Sequence, residues 1–105
     1  MNTFEDRKKG FEAKYQNDQE AQFKIRAIRN RLVAEWAAEL FKPVNKVEYI
    51  KEVRLSDLEK PGDDDIIDKL ISDFESKTIN VNRENIIKKI IECERLAIDE
   101  FNQKK

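Results

Sequence analysis

Apolar residues along the chain recur at intervals of three and four, the period of a helix and not of a strand. The clearest run lies between Phe23 and Phe41. Ala21, Ile25, Ile28, Leu32, Trp36 and Leu40 fall on one face, and Phe23, Ala27, Ala34 and Phe41 on another roughly opposite. Such a segment predicts a helix over 20–41 packed on two sides, at the centre of a small bundle. Lys42-Pro43 should end it, because the residue before a proline is pushed out of the helical region.

Three shorter elements follow. Asn45 with Glu48 reads as a capping box opening a helix to about Leu55, with Val47, Ile50 and Val53 inward. Lys60-Pro61-Gly62 breaks the chain, and Asp63, Asp64 and Asp65 then supply a cap and a dipole-favouring first turn. Ile66, Ile67, Leu70, Ile71 and Phe74 form the apolar stripe of that helix. The device repeats at Ile86, Ile87, Ile90 and Ile91, continuing through Cys93, Leu96, Ala97 and Phe101, with Asn82 as the cap and Val81 as a staple.

Residues 1–19 behave differently. Phe4, Phe11 and Tyr15 are their only large apolar residues, in a stripe roughly 40° wide, narrower than a globular helix buries. Gly10 weakens helicity by up to about 1 kcal/mol. Thr3 can cap, and Glu5 and Asp6 suit a first turn. The reading is a marginal helix that folds against a partner through three aligned aromatics. The competing reading is an ordinary terminus whose aromatics dock on the domain's own bundle.

Composition narrows the chemistry. At 105 residues the chain is one domain, with two Gly, two Pro and 41% charged residues, as in all-helical proteins. The expected fold is all-α, a four-helix bundle over 20–105 with a mobile or partly helical N-terminal arm over 1–19. Net charge is −1, and the arm's four bases meet four acids, which speaks against a nucleic-acid partner. A single cysteine, Cys93, excludes an internal disulfide, and no apolar run is long enough for direct membrane insertion. A cytoplasmic location is expected.

Histidine is absent, which removes Ser-His and Cys-His catalysis and most zinc sites. The Asp triplet lacks the alternating ligands of a calcium loop, and no glycine-rich phosphate loop occurs. No catalytic residue, cofactor or metal is expected. Arg26, Arg29 and Arg31 invite a phosphate-binding reading, but around a helix they diverge, and solvated ion pairs explain them better.

With these segments placed, the chain resembles the zeta-subunit family of bacterial F-type ATP synthase inhibitors. The resemblance is carried by Thr3-Phe4-Glu5-Asp6-Arg7, Glu12-Ala13-Lys14, Asp18, Phe23-Lys24 and Arg26-Ala27. It continues through Arg29-Asn30-Arg31-Leu32, Glu35-Trp36-Ala37-Ala38 and Pro61-Gly62-Asp63-Asp64-Asp65-Ile66. Ile28, Lys60 and Phe11 depart from the residues common in the family, and 75–105 match only in length and helical pattern.

The resemblance implies a regulatory inhibitor and not an enzyme. Residues 1 to about 19 would enter the catalytic head of the synthase, between catalytic and noncatalytic subunits, and fold against the rotor shaft. Hydrolytic rotation then jams while synthetic rotation expels the segment, a unidirectional pawl on the cytoplasmic side of the membrane-bound enzyme. The inhibitory residues carried over are Thr3, Phe4, Asp6, Arg7, Glu12, Lys14 and Asp18; Phe11 and Tyr15 join them from the aromatic stripe. Weak adenine-nucleotide binding is a further expectation. The alternatives are a helical adaptor or a nucleotide-binding module with another partner.

Overall fold

The computed structural model describes residues 18–57 and 62–103. They form four helices: α1 (Gln19–Phe41), α2 (Lys46–Ser56), α3 (Asp64–Ser76) and α4 (Arg83–Gln103). The four-helix architecture read from the periodicity is what the chain adopts. α1 spans about 34 Å at 1.5 Å per residue and touches all three other helices, most extensively α4 and α2.

Each helix boundary has a local cause. Asp18, in extended conformation, accepts the Ala21 N–H at 2.9 Å and starts α1. Lys42 ends it in the left-handed region at φ 51°. Asn45 accepts the Glu48 N–H at 3.1 Å, as the capping pattern predicts. Asn82 accepts from the Asn85 N–H at 2.8 Å while its own N–H donates to Asn85 Oδ1 at 3.2 Å, a reciprocal box with Asn in the Glu position. α3 closes in a Schellman motif: the Ile79 N–H reaches Phe74 O at 2.8 Å and the Thr78 N–H reaches Glu75 O at 3.1 Å. Thr78, where glycine is usual, sits at φ 57°.

The core is continuous from Val33, Ala34, Ala37 and Ala38 of α1 through Tyr49 and Val53 of α2. It continues into Ile66, Ile67, Leu70 and Phe74 of α3 and Ile86, Ile90 and Cys93 of α4. A smaller cluster of Ala21, Ile25, Ala97 and Ile98 closes the end where α1 begins. Trp36 stands edge-on to Phe74 at 5.8 Å, and Phe41 stacks on Tyr49 at 4.7 Å. Lys77 lies 3.9 Å over the Phe41 ring and donates to Phe41 O at 2.7 Å, tying the end of α3 to the end of α1.

Several inward assignments are corrected. α1 is packed on more than one side, but its most buried row is Ala21, Ile25, Arg29, Val33 and Ala37, with Asn30, Ala34 and Ala38 beside it. Small residues on these rows let the neighbouring helices approach closely, so large α1 residues sit at the edges. Leu32 and Trp36 are half-buried, Leu40 is exposed, and Phe23 is 71% exposed. In α2, Val47 points outward and Tyr49 inward, because Tyr49 can stack on Phe41 and donate its hydroxyl to Asp73 at 2.8 Å. Leu96 of α4 is also exposed.

Candidate functional site

Of the nine residues expected to act on a partner, Thr3, Phe4, Asp6, Arg7, Phe11, Glu12, Lys14 and Tyr15 lie outside the described residues. Asp18 is the ninth. The structure places it at the root of the arm, with its carboxylate on the Ala21 N–H and its carbonyl on the Gln22 N–H at 3.0 Å. Asp18 is extended, and α1 starts directly after it. Glu20 and Lys24 form an exposed ion pair one turn further on.

About two turns further along α1, from Arg26 to Asn30, the structure assembles a polar cluster. The Asp57 side chain is fully buried at the end of α2. It accepts from Arg26 Nε at 2.7 Å, Arg26 Nη2 at 2.9 Å and Asn30 Nδ2 at 2.7 Å. Arg29, 3% exposed, donates to Asp63 at 2.8 Å and to Asn30 Oδ1 at 2.8 and 3.1 Å. Arg26 Nη2 also reaches Gly62 O at 2.7 Å. Gly62 holds φ 97°, which a side chain rarely adopts. The hydrogen bonds that Arg26 donates to Asp57 dominate its environment and raise its pKa, so the charge on this guanidinium is fixed at any accessible pH.

The cluster therefore clamps Asp57 and Asp63, which flank residues 58–62, onto one side of α1. Two sequence expectations change. Arg26 and Arg29 do not diverge into solvent; three residues apart, they converge on the same two carboxylates. Asp63 stands at the N-cap position of α3 without a side-chain capping bond, since its carboxylate is turned to the arginines. Only Arg31 points elsewhere, to Glu100 of α4 at 2.8 Å.

A phosphate arriving at these arginines would compete with carboxylates already within hydrogen-bond distance. Asp64 and Asp65 remain in the first turn of α3, where the dipole favours them. Among the described residues no group of three His, Cys, Asp or Glu is placed to hold a metal, and no helix is long and apolar enough to cross a membrane. Cys93 is buried, as its place on the apolar face predicts, and burial pushes its thiol up to about 11.

The sequence reading missed Asn30, Asp57 and Asp63 as members of one site. A signal was present: Arg29 stands four residues after Ile25 and four before Val33, inside a buried row.

The described part is thus a small helical scaffold, apolar inside and pinned by one buried ionic clamp, with a terminal segment leaving from Asp18. No curated protein matches the chain. The family described as ATPase inhibitor subunit zeta matches residues 1–100, both the segment before Asp18 and all but the end of α4. The chain belongs to this family of ATPase inhibitor subunits.

Proposed function

We propose that this protein restrains ATP hydrolysis by the F-type ATP synthase, with residues 1 to about 19 as the working element and the bundle as its mount. The observation that carries the reading is the extent of the family match, which starts at residue 1 and so includes the arm. Phe4, Phe11 and Tyr15 anchor the segment in the interface between catalytic and noncatalytic subunits of the head. There it folds against the rotor shaft, with Thr3, Asp6, Arg7, Glu12, Lys14 and Asp18 supplying the polar contacts. Rotation in the hydrolytic direction tightens the wedge and synthetic rotation expels it, giving a one-way pawl on the cytoplasmic face.

The energetics support a deep site. Ordering about 18 residues costs roughly 20–30 kcal/mol of backbone entropy. Burial of three aromatics in an enclosed groove offsets part of that, and a flat surface would not. Adenine-nucleotide binding to the bundle is a secondary proposal, and occupation of Arg26, Arg29 and Arg31 by carboxylates argues that it does not use them.

Site-directed cross-linking tests the placement. Cys93 is buried, so a Phe11→Cys chain carries one accessible thiol for a photoreactive linker. During ATP hydrolysis, adducts should form with head subunits and the rotor shaft. A chain that binds the synthase but cross-links to neither contradicts the placement.

A further inference from the structure

Where α1 begins, the bundle carries a groove of about 560 Å³. Asp18, Phe23, Lys24, Ala27 and Ile28 of α1 and Phe101 of α4 line it. Its size falls within the roughly 300–1,000 Å³ of ordinary binding pockets, enough for an aromatic ring and part of a backbone turn. Phe23 stands on its wall with 71% of its surface exposed. An isolated exposed Phe is unremarkable, but here it borders an apolar trough that also holds a half-buried Ile28 and Phe101.

We infer that this groove is a parking site for the chain's own arm, occupied chiefly by Tyr15 and competing with the synthase for the same aromatic residues. The argument rests on where the described chain begins. Asp18 is both the root of the arm and a wall of the groove. Tyr15 is three residues away, about 10 Å of extended chain, so its ring reaches the trough, whereas Phe4 is tethered too loosely to favour it. A tether this short gives an effective concentration in the millimolar range, so an intrinsic contact of only millimolar affinity half-fills the groove.

A second copy or a foreign segment lacks that advantage and would need a much larger surface. The regulatory consequence rests on the inhibitory role proposed above: a parked arm lowers apparent affinity for the synthase in proportion to the parked fraction, twofold at half occupancy.

The test uses the full chain in two measurements that fail separately. In an equal mixture of isotope-labelled and unlabelled protein, filtered NOE spectra should show contacts from the Tyr15 ring to the Ala27 methyl and the Phe101 ring within one molecule. Phe23→Ser, which removes an exposed wall, should weaken them without lowering the melting temperature. No such contact, or contacts only between molecules, overturns the parking site whatever the inhibitor does. In the hydrolysis assay, Phe23→Ser should inhibit up to about twofold more tightly; unchanged or weaker inhibition overturns the regulatory consequence and leaves the arm's inhibitory role standing.

Discussion

Replacing Asp57 by Asn removes one charge from the least accessible point of the clamp while keeping the side-chain shape. Asp57 now accepts two hydrogen bonds from Arg26 and one from Asn30, all between 2.7 and 2.9 Å. Asparagine turns an NH2 group towards guanidinium donors and leaves Asn30 a single acceptor to share. Removing one partner of a buried pair costs about 3–5 kcal/mol. The Arg26 side chain is 40% exposed and can turn to water, and Arg29 keeps Asp63, so the low end applies, about 3 kcal/mol. At about 4–8 °C per kcal/mol for a domain of this size, the melting temperature should fall by roughly 12–24 °C.

Urea unfolding followed by far-ultraviolet circular dichroism measures the loss, with an unchanged slope showing that the native state keeps its compactness. Glu39→Gln is the matched control. Its ion pair with Lys46 is as short, at 2.6 Å, but lies in solvent, so the midpoint should hardly move. A loss below about 1 kcal/mol for Asp57→Asn, or one no larger than the control's, refutes the claim that burial gives this cluster its weight.

Thr78→Gly should stabilise by about 0.5–1 kcal/mol, because glycine adopts the left-handed position closing α3 without a Cβ clash; a lower urea midpoint contradicts this. Phe74→Ala removes a fully buried ring that meets Trp36 edge-on, and should cost about 3–5 kcal/mol, visible as a lower midpoint and altered Trp36 fluorescence. With the Cys93 thiol near 11, only about one part in a thousand is thiolate at pH 8. Iodoacetamide should therefore modify the native chain far more slowly than the urea-unfolded one, and equal rates would show the site to be open. The same upward shift means stability is undiminished below the thiol's unfolded value and falls as pH rises from there through about 11.

The helices were legible because hydrophobic period and capping chemistry are local. Asn45 with Glu48 and the Ile doublets of α3 and α4 each lie within a turn or two of what they specify. The clamp was not legible, because its attraction spans 27 to 37 residues of chain and hydropathy places every arginine on the surface. Phe23 was misplaced for the converse reason. Its apolarity says that it prefers to be covered, while Ala21 and Ile25 already fill the available neighbour positions on α4. Val47 and Tyr49 exchanged roles because stacking on Phe41 and a hydroxyl bond to Asp73 outweigh burial of one isopropyl group. The arm drew its reading from an aromatic stripe and a family resemblance, and of its nine expected site residues only Asp18 has a described environment.

The central claim is that the segment before Asp18 does the inhibiting. ATP hydrolysis by purified synthase, titrated with the intact chain and with a chain lacking residues 2–17, tests it most directly. Cutting there keeps the Asp18 cap, and circular dichroism is the check that the bundle of the shortened chain remains helical. The intact chain should inhibit and the shortened one should not, even at saturating concentration. Equal inhibition by a folded, shortened chain would assign the activity to the bundle and contradict the account.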